Sequence, residues 1–265
     1  MKPHIDMPLK NLTSYDLLKL LAVVTMIIDH VGYYFFPEQM EWRAIGRMSM
    51  PIWLFLIGYA NTRDMPPILW GGAFILFASY LVFGNPLLAL NILFTIIITR
   101  AVLDTLAKIT FQNAEGFLLS MTAMGFLVVP FAALFDYGTQ AFMWALFGYL
   151  CRHHKEMQIG RERVLGFLAL IACIYMVYQT LFFGFDSAQI AMMAIGVAVS
   201  SFLLFSFKPR ALPDLTHKIP NIFLPLFKFV GRKTLHIYVG HLVLFLVIAF
   251  FLYPDRFGLF YLKFY

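Results

Sequence analysis

The sequence predicts an all-α polytopic membrane protein, a single bundle of about nine transmembrane helices. Composition is the first reason: 61% of the 265 residues are hydrophobic and 13% are charged, against about 25% charged residues in a typical soluble domain. The mean hydropathy is +0.79, and phenylalanine alone occurs 30 times. Because no soluble core of this length absorbs so much apolar surface, we expect lipid to surround the chain.

Apolar runs close to the spanning length of about 20 residues recur along the whole chain. They predict helices at 14–36, 44–62, 66–83, 86–103, 116–134, 138–151, 163–183, 187–207 and 232–252. The segment 221–229, NIFLPLFKF, is a candidate re-entrant or interfacial piece. The linkers are short, and neither an internal repeat nor a low-complexity segment divides the chain. We therefore expect residues 1–265 to form one integral-membrane domain.

The amino-terminal segment and the cysteines exclude several other classes. Residues 1–12 are polar, and the apolar run after them is too long for a signal peptide and lacks a small-residue cleavage site. We expect the first helix to remain as an anchor. The net charge of +6 comes from loops that flank the membrane, so nucleic acid is not an expected partner. Cys151 and Cys173 lie in or beside apolar segments, which argues against a disulfide framework.

Lysine and arginine are distributed unevenly among the loops, and this predicts the orientation. The basic segments, expected in the cytoplasm, are 151–163 and 206–218, followed by Lys228, Arg232 and Lys233. The loops nearly free of lysine and arginine, expected outside, are 36–41, 83–86, 135–138 and 183–186. The amino terminus, with Lys2 and Lys10, is then cytoplasmic. Nine spans place the carboxyl terminus outside, whereas a further span at 219–229 would place it inside.

The first predicted helix carries three ionisable side chains on one face. Lys19 and His30 are eleven residues apart, so they share a face at a separation of about 16 Å along the axis. Asp16 lies on nearly the same face, whereas Asp29 is turned about 100° away from His30. Ionisable groups inside a membrane are costly and are usually functional. The alternatives are that Lys19 reaches the lipid headgroups and that His30 only bonds a neighbouring helix.

Polar groups on two other predicted helices add to this set. Arg43 and Arg47 are one turn apart at the outer end of the second helix, at a depth close to that of His30. Both are candidates for binding an acceptor or an oxyanion, although we expect Arg43 to anchor in the headgroups. On the last helix, His236 and His241 are about 140° apart, so at most one of them faces His30.

Three segments resemble a known family. The segments 14–37, SYDLLKLLAVVTMIIDHVGYYFFP, and 43–63, RAIGRMSMPIWLFLIGYANTR, resemble the TraX family, named for the enzyme that acetylates the amino terminus of a conjugative pilin. They are also similar to the wider membrane acyltransferase clan that includes acyltransferase family 3. In that clan a basic residue, ten intervening residues and a histidine mark the first helix, the spacing of Lys19 and His30. The segment 229–245, FVGRKTLHIYVGHLVLF, is similar to the pattern of the later helices.

The resemblance implies an enzyme, a CoA-dependent membrane acyltransferase. The implied reaction moves an acetyl or similar acyl group from cytoplasmic acetyl-CoA to an amine or hydroxyl acceptor at or across the membrane. Such an acceptor is a pilin amino terminus, a glycan or a lipid. The expected partners are acetyl-CoA, the acceptor and membrane lipids. The expected location is the bacterial inner membrane, which the protein crosses several times.

The resemblance also implies roles for particular residues. His30 is expected to be the general base, because an imidazole titrates near neutral pH, and Asp29 is expected to orient a neighbouring catalytic group. The expected ligands of the donor phosphates are Lys19, Arg63 and Arg100. The expected substrate-binding residues are Arg47 and His241. The paired-arginine motif of the family is reduced here to Arg63.

A non-enzymatic function remains as the alternative. Buried histidine, aspartate and arginine side chains also suit an ion path in a transporter or a pilus-assembly factor. A transporter built from inverted repeats should carry polar or broken helices in both halves, whereas the polar groups here gather on the first two helices. The scattered histidines lack the spacing of a metal site, so no metal is expected. The sequence therefore favours the acyltransferase.

Overall fold

The structure is a computed structural model that describes residues 11–84 and 88–260. Its helices are α1 (Ser14–Phe35), α2 (Met40–Gly46), α3 (Ser49–Tyr59), α4 (Pro67–Phe83), α5 (Ile92–Phe111), α6 (Ala114–Phe126), α7 (Val128–Ala132), α8 (Gln140–His153), α9 (Arg161–Phe183), α10 (Ser187–Phe205), α11 (Pro213–Lys218), α12 (Leu224–Arg232) and α13 (Thr234–Leu252). No β-strand occurs in the described ranges, which contain two isolated β-bridges. The all-α prediction is confirmed.

The long apolar helices are compatible with an integral membrane protein. By length and composition, four helices in the described part of the chain can cross a membrane, namely α1, α9, α10 and α13, and α4 is a shorter apolar helix. The count of about nine spans stays a prediction, because several predicted runs are divided into shorter helices. Lys2 and Lys10, which support the predicted orientation, lie outside the described residues, as do residues 261–265.

The second predicted helix, 44–62, is broken into α2 and α3 at Arg47 and Met48. Pro51, in the first turn of α3, has no N–H, so it cannot donate to the carbonyl of Arg47 four residues earlier. The hydroxyl of Tyr175 on α9 donates to that carbonyl instead, at 2.7 Å. A proline and a tyrosine from a distant helix thus fix the break together.

The fourth predicted run, 86–103, begins and ends later in the structure. The side chain of Asn91 accepts a hydrogen bond from the N–H of Leu93 at 3.1 Å and so caps the start of α5. Its amide also donates to the carbonyl of Ala73 on α4, at 3.1 Å. Since α5 continues to Phe111, it carries Arg100 in its middle rather than near its end.

The chain between α10 and α13 forms two short helices. Nine-residue α12 covers most of the predicted re-entrant or interfacial segment, and it is too short to cross a bilayer by itself. It packs on the start of α1, where a Cβ on Gly231 would lie 2.8 Å from Oδ1 of Asp16. Because α13 follows directly, α1 and α13 run side by side in the same direction.

Helices α3 and α8 cross at backbone contact distance. A Cβ on Gly58 would lie 1.7 Å from the carbonyl oxygen of Ala145, and one on Gly148 would lie 2.1 Å from that of Phe55. Only glycine permits such an approach. The crossing joins α3 to a core that contains the fully buried Trp144. This contact fixes the position of α3 relative to α1.

Candidate active site

A cavity of about 480 Å³ lies among α1, α3, α5 and α13. Lys19 and Arg100 line one end, and Asp29 and His30 line the other. The two ends are separated by about 16 Å, the rise of α1 between Lys19 and His30. The apolar wall between them includes Met26, Met50, Trp53, Leu56, Leu69 and Ile96. One continuous space therefore joins two cations to a histidine.

The cationic end of the cavity has hydrogen-bond donors that are not used within the described part of the chain. In the described part of the chain, no hydrogen bond or ion pair engages the ammonium of Lys19. The Nη1 of Arg100 donates to the backbone carbonyl of Asp64, in the segment that follows α3. The buried Nε of Arg100 has no hydrogen-bond partner among the described residues. Since buried donors are normally satisfied, this end is suited to an anionic ligand.

Arg63 lies beside this end rather than in it. Its Nε and Nη2 donate to one carboxylate oxygen of Asp104, at 3.1 and 2.9 Å, and its Nη1 donates to the carbonyl of Ala60 at 2.8 Å. Ala60 itself lines the cavity. Arg63 thus ties the segment after α3 to α5, and it does not line the cavity with Lys19 and Arg100.

The other end contains a pair of histidines. Nδ1 of His30 and Nε2 of His241 are 2.8 Å apart, across the contact between α1 and α13. Nδ1 of His241 lies 2.7 Å from the carbonyl oxygen of Ile237, one turn earlier on α13. His236 is exposed, so one of the two histidines of α13 reaches His30, in agreement with their angular separation.

Asp29 is engaged with two arginines instead of His30. Its Oδ2 accepts from Nη1 of Arg43 at 2.7 Å, and its Oδ1 forms an ion pair with Nη2 of Arg47. Gly46 makes this packing possible, because a Cβ there would lie 2.3 Å from the Cβ of Asp29. The expectation that Arg43 anchors in the headgroups is wrong: its guanidinium turns inward, since Asp29 offers a buried counter-charge.

Arg47 is enclosed by protein. It is 3% exposed, its Nη1 lies 3.5 Å from Oε1 of Gln179, and its guanidinium lies 4.8 Å from the ring centre of Phe183. It is not among the side chains that line the cavity. The structure therefore places Arg47, predicted to bind substrate, behind Asp29 at the break between α2 and α3.

Asp136 is a cavity residue that the sequence reasoning missed. It lies in the loop between α7 and α8, whose backbone is held to Leu90 by hydrogen bonds of 2.9 Å from Leu90 to Leu134 and from Asp136 to Leu90. Burial raises the pKa of Asp136 to about 7, and the N–H of Ile92 partly offsets this by donating to it. The sequence FDYG predicts an outer loop, but no signal in it shows that the loop folds back into the wall of the cavity.

Each end of the cavity lies near a different loop: the cationic end near a basic loop, and the histidine end near a turn without lysine or arginine. At the cationic end, Arg152 from the basic segment 151–163 donates to the carbonyl of Tyr59, next to Ala60, at 2.7 Å. At the histidine end, the ring of Phe183, beside the turn 183–186, lies over Arg43 and Arg47 at 5.1 and 4.8 Å. Helix α9 connects the two sides. Lys19 and the basic loop therefore share one side, and His30 lies toward the other.

Together, the fold and the cavity define a helical protein of the membrane-spanning type with a polar site between its helices. The family model described as TraX protein matches residues 14–249, and the chain belongs to the TraX family. An uncharacterized protein of Rickettsia prowazekii (strain Madrid E) is similar, with 29% identity over 263 residues that cover 94% of this chain and 97% of the relative. No solved structure matches the chain. The predicted resemblance to the TraX family is confirmed, and the wider clan stays a prediction.

Proposed function

We propose that this protein is a membrane acyltransferase that moves an acetyl or similar short acyl group from acetyl-CoA to an amine or hydroxyl acceptor. The observation that carries the proposal is the cavity that joins Lys19 and Arg100 to His30. Two cations with unused donors suit the phosphates of the donor. A histidine about 16 Å away suits the thioester at the end of an extended pantetheine arm.

His30 is the general base in this scheme. Its imidazole removes the proton from the acceptor N–H or O–H while that nitrogen or oxygen attacks the thioester carbonyl. The tetrahedral intermediate expels the CoA sulfur, and the imidazolium returns the proton to it. An acyl–nitrogen or acyl–oxygen bond forms, the carbon–sulfur bond breaks, and CoA leaves as the free thiol.

The apolar wall of the cavity supports donor binding at one end and proton removal by His30 at the other. It keeps water away from the thioester between the two ends, which limits hydrolysis and strengthens the electrostatic interactions at the site. Asp29 does not act on the acceptor in this scheme. With Arg43 and Arg47 it forms a buried ion cluster that holds α1 against α2 and so fixes the backbone next to His30.

The proposed location of the protein is the bacterial inner membrane, with its amino terminus in the cytoplasm. The basic segment 151–163 shares a side with Lys19, and positive loops remain cytoplasmic. The donor then enters from the cytoplasm, and the acceptor reaches His30 from the opposite side. Pilin amino termini, glycans and lipids are acceptors of the required chemistry.

Calorimetry with CoA on the full-length protein in lipid nanodiscs tests the donor site. We expect the parent to bind CoA, and Lys19→Ala and Arg100→Ala to weaken the binding about tenfold or more, the cost of one charge-assisted contact. Lys108→Ala is the matched control, since it removes an exposed cation from α5 outside the cavity. If both cavity variants bind CoA like the parent, the donor does not use this end and the proposal is wrong.

A further inference from the structure

The hydrogen bonds around His30 determine which of its ring nitrogens carries the proton. A backbone carbonyl can only accept, so Nδ1 of His241 donates to Ile237 over the 2.7 Å between them. A neutral His241 then has an unprotonated Nε2, which accepts from Nδ1 of His30 at 2.8 Å. The lone pair of a neutral His30 is therefore on Nε2.

We propose that His241 is a positioning residue that holds His30 in the Nδ1–H tautomer and leaves Nε2 as the basic nitrogen. The catalytic half of this inference rests on the proposed function, whereas the tautomer can be measured without turnover. The role differs from the substrate binding that the sequence predicts for His241. One of its ring nitrogens is used by the Ile237 carbonyl and the other by His30, so neither remains for an acceptor.

The positioning group is itself held rigidly. Its anchor, the Ile237 carbonyl, belongs to the backbone of α13 and lies one turn before His241. The His241 ring packs between Tyr238 and Phe245, with ring centroids 5.8 and 5.4 Å away. A backbone hydrogen bond and two aromatic rings fix the His241 side chain. It therefore presents only the acceptor Nε2 to His30, and this holds the proton of His30 on Nδ1.

The tautomer matters because free histidine in water favours the proton on Nε2. Without an acceptor at His241, His30 would carry its proton on the nitrogen that has to act as the base. The fraction of enzyme in the reactive form would fall, although both substrates would bind as before. Loss of an orienting hydrogen bond of this kind costs on the order of 10- to 100-fold in activity.

Nitrogen-15 NMR of the full-length protein in nanodiscs, labelled in its seven histidines, tests the tautomer directly. Correlations to the ring carbons distinguish Nδ1 from Nε2, and the His30 signals are assigned by their loss in His30→Gln. We expect a protonated Nδ1 and a bare Nε2 for His30 in the parent. In His241→Phe, which keeps the ring contacts but has no acceptor, we expect the proton to move to Nε2.

Kinetics separate positioning from substrate binding. With acetyl-CoA as donor and a short peptide with a free amino terminus as the probe acceptor, His241→Phe should lower kcat about 10- to 100-fold with both KM values nearly unchanged. His241→Gln should recover most of kcat, because its side-chain oxygen takes the place of Nε2 as an acceptor. His236→Ala, an exposed position on the same helix, is the control and should match the parent.

Two results would overturn the inference: an Nε2–H tautomer of His30 in the parent, or an unchanged tautomer of His30 in His241→Phe. A rise in the acceptor KM with parental kcat would overturn the positioning role in favour of substrate binding. If the tautomer is as expected but His30→Ala transfers acetyl at the parental rate, His30 is not the base and the positioning role fails. If the parent transfers no acetyl, the proposed function fails and the assignment of the His241–His30 hydrogen bond stands.

Discussion

At the scale of single residues, the buried ion cluster of Asp29, Arg43 and Arg47 shows how charge is tolerated in the interior. Asp29 and Arg47 are 4% and 3% exposed, so neither has much access to solvent. Their burial is compensated because each carboxylate oxygen of Asp29 has its own guanidinium. Such a cluster adds little net stability, but breaking it leaves an uncompensated charge.

Removal of the Asp29 charge should therefore be strongly destabilising. We expect Asp29→Asn to lower the free energy of unfolding by about 3–5 kcal/mol, because two inward-facing guanidiniums lose their counter-charge. Asp104→Asn is the matched control: Asp104 pairs with Arg63 but its side chain is 63% exposed, so we expect a loss below about 1 kcal/mol. SDS titration of both variants in mixed micelles measures the difference. Equal losses would contradict the structural role given to Asp29.

Sequence spacing predicted some of these residues and not others. Lys19 and His30 were predictable because one helix fixes both their separation and their common face. The contact of His241 with His30 was restricted by helix geometry but not determined, since it depends on how α13 packs on α1. Asp136 and the inward turn of Arg43 depend on a loop and a helix break, and neither has a periodic signal in the sequence.

At the scale of elements, the apolar runs predicted where helices lie but not where they are interrupted. The run 44–62 is continuous in hydrophobicity, because the break at Arg47 is a matter of backbone hydrogen bonding rather than of polarity. Pro51 is visible in the sequence, but proline is also common in the first turn of helices. The partner that replaces the missing N–H, Tyr175, lies 128 residues away from Arg47.

A double-mutant cycle tests this account of the break. We expect Tyr175→Phe to cost about 1–3 kcal/mol of unfolding free energy, because it leaves the carbonyl of Arg47 buried and unpaired. In a Pro51→Ala background the cost should fall by about 1 kcal/mol, since residue 51 then has an N–H that can donate to that carbonyl.

Tyr178→Phe on the same helix is the control for this cycle. It removes a hydroxyl from a ring that stacks on Phe182, and its cost should stay within about 0.5 kcal/mol. A Tyr175→Phe variant as stable as the control, or a cost that is independent of residue 51, would show that the hydrogen bond does not maintain the break.

For the whole molecule, the positions of the two cavity ends and the charges of the nearby loops predict the same orientation in the membrane. Arg152 links the basic loop to the cationic end, and Phe183 links the turn 183–186 to the histidine end. The 23 residues of α9 between them extend about 35 Å, enough to cross a bilayer.

Cysteine labelling in intact cells measures this orientation. In a background without Cys151 and Cys173, we expect an impermeant maleimide to label Ser187→Cys from outside, and Lys155→Cys only after permeabilisation. Both positions are exposed and stand at opposite ends of α9. The reverse pattern would put His30 toward the cytoplasm and remove the reason to place the acceptor outside.

The most direct test of the acyltransferase activity and of the role of His30 is the release of CoA thiol from acetyl-CoA by full-length protein in nanodiscs, with the free-amino-terminus peptide as acceptor. We predict release by the parent and a decrease on the order of 10²- to 10⁴-fold in His30→Ala, in protein that remains folded. His30→Gln, which keeps a hydrogen bond but cannot accept the proton, should be equally impaired, and His236→Ala should be fully active. Release by His30→Ala at the parental rate, or none by the parent, would contradict the account.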